Sequence, residues 1–213
     1  MELKKNRNKI EIIKPFGPSI IKFQMPIELI NEINLYIDNI ILDNSKTEIL
    51  DHSKSLAGQV TQELILELEF MKKINWVEFL AEAFTQWLKF EKPQKNLKNF
   101  NIIRSWVVRQ FKTEYNPVHW HAGQISGVGY LKVPKDMSKP SKKSHLETDG
   151  KLALIDGYKS LFSNGIFLIE PKVGDFYMFP NHLMHTVYPF FGTDEERRSI
   201  SFNADLDPEA KSF

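Results

Sequence analysis

From Asn101 onward the chain runs in short apolar segments parted by turn-forming residues, and that rhythm restricts its fold more than any other property. Val, Ile, Tyr and Phe recur in these segments, and side chains of that shape suit a pleated, half-buried surface. Strands are expected over 102–111, 118–133, 151–156, 166–169, 175–179, 185–188 and 198–206. Such spacing belongs to a sandwich or barrel, and the jelly-roll class suits it.

The part before residue 100 follows a different period. A strand over 19–23 precedes Pro26, which sits where a first helical residue would, and Leu29, Ile30, Ile33, Tyr36, Ile37, Ile40 and Ile41 then recur at helical spacing. After a polar stretch over 43–55, Thr61 is positioned to cap a helix bearing Leu64, Ile65 and Leu68. A further helix presents Trp76, Phe79, Leu80, Ala83, Phe84 and Trp87, aromatic residues read as packing. The expected division is therefore 1–100, a strand with supporting helices, and 101–213, a jelly-roll core, the two forming one compact unit. A chain of 213 residues with 42% hydrophobic content can bury one core of that size.

Histidines carry the chemistry. In a continuous strand His119 and His121 point to one face, because side chains two apart share a face. His185 follows in the block 179–187, so two segments can bring three imidazoles together. Neutral imidazoles suit iron, zinc, copper or nickel rather than calcium or magnesium. The chain has no cysteine, which excludes disulfides, thiolate zinc sites and iron–sulfur clusters. Against this stands the plainer reading of hydrogen-bonded or surface histidines. His182, three residues before His185, is read as a rim or surface residue rather than a second chelating group, and His52 and His145 receive no role.

The string His119-Trp120-His121-Ala122-Gly123-Gln124-Ile125-Ser126-Gly127-Val128-Gly129-Tyr130-Leu131-Lys132-Val133-Pro134 resembles a signature of 2-oxoglutarate- and iron(II)-dependent oxygenases. That group is related to prolyl hydroxylases and found in marine bacteria and their phages. Gly174-Asp175 through Phe179-Pro180, His185-Thr186-Val187 and Arg197-Arg198-Ser199-Ile200-Ser201-Phe202-Asn203 are similar to its other markers. Trp106-Val107-Val108 and Phe16-Gly17-Pro18-Ser19 fit as well. The likeness covers the C-terminal half closely and the helical half loosely.

The resemblance implies a double-stranded β-helix, cupin-like core with N-terminal helices packed against it. It makes His119, His121 and His185 the metal ligands, Arg198 the partner of the distal carboxylate of 2-oxoglutarate, and Tyr130 a hydrogen-bond donor to that carboxylate. A guanidinium fork matches a carboxylate, and Arg197, on the other strand face, is read as solvated. The implied activity is hydroxylation of the prolyl-hydroxylase kind, using iron(II), 2-oxoglutarate and O2. His121 departs from the His-x-Asp or His-x-Glu of the wider superfamily, and Glu114, Asp136 and Asp156 are the carboxylates that could replace it.

Two other classes stay open: a three-histidine cupin-type dioxygenase that does not use 2-oxoglutarate, and a non-catalytic metal-binding or interaction module. With 28 basic and 27 acidic residues, net +1, nothing draws the chain towards nucleic acid or membrane. Lys132, Lys135, Lys139, Lys142 and Lys143 could form a local groove for phosphates or an acidic peptide. The segment 135–150 reads as an exposed loop beside the site, and an exposed aromatic face on the helical half would allow a homodimer. No signal peptide or membrane span is read, so a cytoplasmic protein is expected, in the host cytoplasm if phage-encoded. The substrate is a peptide, a protein or a small molecule.

Overall fold

The computed structural model describes residues 10–14, 17–138, 148–157, 161 and 164–206. Along the chain run β1 (Glu11–Ile13), β2 (Ile20–Gln24), α1 (Ile27–Ile41), α2 (Asn44–Leu50), β3 (Gln62–Ile65), α3 (Leu68–Lys73) and α4 (Trp76–Glu91). Then follow β4 (Phe100–Gln110), β5 (Asn116–His119), β6 (Ile125–Lys132), β7 (Leu152–Ile155), β8 (Ile166–Ile169), β9 (Asp175–Pro180), β10 (Met184–Val187) and β11 (Arg197–Leu206).

The strands form two antiparallel sheets. The larger has seven strands in the order β1-β2-β9-β6-β11-β4-β3, and the smaller has four, β5-β10-β7-β8. Chain neighbours are seldom sheet neighbours, so the strands shuttle between the sheets as in a double-stranded β-helix. Ile20, Val128, Tyr130, Leu152, Leu154 and Phe179 fill the space between the sheets.

The outer face of the larger sheet would be an unusable apolar surface if left bare, and helices cover it. Ile30, Ile33 and Ile37 of α1 and Leu80, Phe84 and Trp87 of α4 pack with Phe176, Met178, Ile200 and Phe202 of the sheet. Apolar burial of this kind contributes roughly 1.5–3 kcal/mol per large side chain. Trp76, Phe84 and Trp87 of α4 are buried in the core, whereas Phe90, in its last turn, is exposed.

Three expectations need correction. The segment after Thr61 is the edge strand β3, paired with β4 from Gln62↔Arg109 to Ile65↔Trp106, because a free ladder edge outweighs the helical spacing of three apolar residues. The helix begins later, at Leu68. The polar stretch after α1 holds α2, whose first turn is capped by Asp43 accepting from the amides of Ser45 (3.1 Å) and Lys46 (3.3 Å). The strand expected over 118–133 is two strands, broken where Gly123 adopts φ +93°, a left-handed conformation that glycine accepts at little cost. Of the loop read over 135–150, residues 139–147, with Lys139, Lys142, Lys143 and His145, lie outside the described residues.

Candidate active site

The histidines meet between the sheets. His119 ends β5 and lies opposite His185 of β10 in the ladder. His121 stands beyond the strand end, in the turn towards β6, so shared strand parity does not bring it to the same place. The turn does, held by the His121 amide donating to the Asn181 carbonyl (3.2 Å) and Asn181 Nδ2 donating to the His121 carbonyl (2.8 Å).

The three side chains offer ligand atoms that all lie within 4.8 Å of one another. Nδ1 of His119 is 2.7 Å from the Pro117 carbonyl and Nδ1 of His185 is 2.9 Å from the Leu183 carbonyl. A carbonyl only accepts, so each Nδ1 carries the proton and each Nε2 keeps its lone pair for a ligand. His185 Nε2 faces His121 Nε2 at 3.1 Å. Two imidazole ligands at about 2.1 Å from one metal, at right angles, stand about 3 Å apart, so that pair is spaced for a shared ion. Burial, reinforced by the neighbouring imidazoles, lowers the pKa of His121 to about 3 and of His185 to about 4, and burial also lowers that of His119. Neutral imidazoles are the form that binds a metal.

No carboxylate joins this cluster among the described residues. Glu114 instead accepts from the Phe111 amide (2.8 Å) and from the Thr61 hydroxyl, which closes the turn between β4 and β5.

A cavity of about 400 Å³ opens from the histidines along the inner face of the larger sheet. Arg197, Ser199, Ser201 and Asn203 of β11 and Trp106 and Val108 of β4 line it, as strand alternation requires. The arginine expected there, Arg198, is absent. It lies on the opposite face of β11, where Nε and Nη2 donate to Glu196 (2.8 and 3.0 Å), Nη2 to Asp38 (2.7 Å) and Nη1 to Asn34 (3.1 Å). Every nitrogen of that guanidinium is occupied.

Arg197, read from the sequence as solvated, is 1% exposed and turned into the cavity. Its Nη1 donates to Gln110 Oε1 (2.8 Å), and its guanidinium lies 5.2 Å from the centre of the Tyr130 ring. Its Nε and Nη2, and the Tyr130 hydroxyl, have no hydrogen-bond partner among the described residues. The two open nitrogens share one edge of the fork, the same edge that Arg198 gives to Glu196. A buried cation with an open bidentate edge is suited to a carboxylate. The signal was present in the sequence: Arg197 has the parity of Ser199, Ser201 and Asn203, whereas Arg198 has that of Ile200, Phe202 and Ala204.

Three converging imidazoles are suited to a metal ion, and an open arginine beside them to a carboxylate. Residues 104–203 match the family described as "Putative 2OG-Fe(II) oxygenase", and this part of the chain is a 2-oxoglutarate- and iron(II)-dependent oxygenase domain. Its cofactor and cosubstrates are iron(II), 2-oxoglutarate and O2.

Among solved structures, the viral collagen prolyl hydroxylase of Paramecium Bursaria Chlorella virus-1, in complex with 2-oxoglutarate, has the same fold. It is 13% identical with a TM-score of 0.54, covering 87% of this chain and 94% of its own. A prolyl-4-hydroxylase of Pseudomonas putida is also 13% identical with a TM-score of 0.54, covering 86% and 91%. A prolyl hydroxylase of Trichoplax adhaerens, in complex with a hypoxia inducible factor peptide fragment, is 12% identical with a TM-score of 0.51, covering 98% and 89%. No curated protein sequence matches the chain. No described helix is long and apolar enough to cross a membrane.

Proposed function

We propose that His119, His121 and His185 hold the iron(II), that Arg197 with Tyr130 receives the distal carboxylate of 2-oxoglutarate, and that the enzyme hydroxylates a prolyl or other side chain of a peptide. The observation that carries this reading is the open edge of Arg197, a fully buried cation without a carboxylate partner among the described residues. A histidine-only metalloprotein without an acidic co-reactant has no use for such a group.

Iron(II) with 2-oxoglutarate and O2 supplies the oxidising chemistry that couples decarboxylation to hydroxylation. The protein's own groups bind and orient. Pro117 and Leu183 fix two imidazole tautomers through their carbonyls. Gln110 holds the third arm of the Arg197 guanidinium, so that its open edge keeps one direction. The Tyr130 hydroxyl, which burial keeps protonated by raising its pKa, is available as a donor beside that edge. The peptide substrate is the class seen in the Trichoplax adhaerens complex.

Anaerobic addition of iron(II) and 2-oxoglutarate should give the weak visible charge-transfer band of a chelated complex, and in air the protein should form succinate. Absence of the band at saturating ligand would sink the assignment. Arg197→Ala should weaken 2-oxoglutarate binding by about 3 kcal/mol, roughly a hundredfold, since two charge-assisted hydrogen bonds are lost.

A further inference from the structure

The inner face of β4 carries a second arginine. Arg104 has the parity of Trp106 and Val108, lines the same cavity and is partly buried. Its place along the strand decides what it can reach. Gln110, which pairs with Arg197 in the ladder and holds its guanidinium, marks one end of that face. Trp106 stands between, its ring 5.6 Å from that of His121, and Arg104 marks the other end. At about 3.3 Å per residue, Arg104 lies roughly 7 Å beyond Trp106, on the side of the histidines away from Arg197. A cosubstrate seated on Arg197 leaves that end of the cavity to the substrate.

Arg104 also differs from the other described arginines in its partners. Arg109 and Arg198 are paired with Glu196, and Arg197 is held by Gln110. The Arg104 guanidinium has neither ion pair nor hydrogen bond among the described residues. Glu63, the one acid among the described residues that line the cavity, sits opposite Val108, beyond Trp106 on the Arg197 side. Water can hydrate a partly buried guanidinium, so an open fork alone selects nothing, and the charge around it has to decide. The metal position is faced by three imidazoles and no carboxylate. Iron(II) and 2-oxoglutarate cancel in formal charge, so a loaded cavity keeps the charges of Arg104 and Arg197 against at most the single charge of Glu63. A cleft with uncompensated positive charge draws an anion, and a guanidinium fork matches a carboxylate through two parallel hydrogen bonds. Arg104 is the only cation among the lining residues at its end, so a singly charged carboxylate balances it, whereas a phosphate dianion would not be balanced. We infer that Arg104 is a specificity-determining residue that binds a carboxylate of the substrate close to the reacting carbon, from an acidic side chain of a peptide or from the α-carboxylate of a free amino acid. Its use in turnover rests on the oxygenase reading of the cavity, but carboxylate binding at Arg104 does not.

The test uses metal-free, ¹⁵N-labelled protein and the arginine Nε–H signals, with that of Arg104 assigned by its loss in Arg104→Lys. The probes are N-acetyl-aspartate methylamide, its asparagine and phosphoserine counterparts, and free L-proline. The aspartate probe or proline should move the Arg104 signal downfield and saturably, and the one that does so identifies the source of the carboxylate. The asparagine probe should bind more weakly by roughly tenfold or more, since a charge-assisted pair is lost. Arg104→Gln should erase the difference between the aspartate and asparagine probes, followed in the backbone amides of β4. No saturable shift with either carboxylate, an equal response to the asparagine probe, or a stronger one to phosphoserine overturns the proposal. If Arg104→Gln fails to fold, the comparison of probes on the unaltered protein still decides. Succinate formation from 2-oxoglutarate is measured separately, so failure of the oxygenase assignment and failure of the carboxylate subsite are distinguishable.

Discussion

Burying a guanidinium without a counter-charge is costly, so the two arginines at the head of β11 should respond in opposite ways to truncation. Arg198→Met removes the buried partner that Asp38 and Glu196 share, leaving them Lys132 and Arg109, and should lower stability to urea by roughly 3 kcal/mol. Arg197→Met relieves an unpaired charge and should leave stability unchanged or raise it, while 2-oxoglutarate binding is lost. Equal losses of stability in the two variants would refute the division of labour. Glu63 predicts a pH effect. Burial, against the pull of Trp106, raises its pKa from 4.5 to about 7. A group raised in the folded state contributes stability that is complete below the unfolded value and is lost as pH rises through the folded value. Unfolding free energy should therefore fall between about pH 4.5 and pH 7, by at most about 3 kcal/mol. In Glu63→Gln that part of the profile should flatten, and an unchanged profile would show that Glu63 is not the group responsible.

At the level of elements, β6 shows how tightly the sheet and its covering helices are fitted. A Cβ on Gly129 would overlap the ring of Phe176 and lie 2.9 Å from the Met25 methyl, and one on Gly127 would lie 2.8 Å from the Tyr177 carbonyl oxygen. Gly129→Val should cost about 3 kcal/mol, read as a lowered melting temperature. Alanine at Gly157, where nothing lies within 4 Å, meets only the backbone strain of φ +73° and should cost less. Elements with a long, regular period were legible in the sequence: α1 and α4, and most strands from β4 onward. Elements decided by partners were not. β3 is a strand because β4 offers it an edge, and α2 rests on one aspartate cap and a contact with α1 rather than on an apolar stripe. The site divides in the same way. The convergence of His119, His121 and His185 was legible from residue type and order, although His121 arrives by a turn rather than by strand parity. Arg197 was read as solvated but is buried, because motif matching took precedence over alternation. Glu63 carried no local signal, since only the pairing of β3 with β4 turns it inward.

Across the whole molecule, the boundary near residue 100 separates sequence styles rather than folding units. Strands β1, β2 and β3 come from the first part and occupy both ends of the seven-stranded sheet, and α1 and α4 cover its outer face. A fragment of residues 101–213 alone should be insoluble or bind a hydrophobic dye, because Phe176, Met178, Ile200 and Phe202 would face water. A monomeric, cooperatively unfolding fragment would contradict this. The arginine doublet carries a last consequence at this scale. Sliding β11 by one residue against β4 would send Arg198 into the cavity, so a mispaired chain would still show a cation there. It would also take Arg198 away from Asp38 and Glu196 and turn Ile200, Phe202 and Ala204 away from the helices. The doublet thus serves as a proofreading mark for strand pairing, and a single-residue deletion within 199–202 should prove far more damaging than any substitution there.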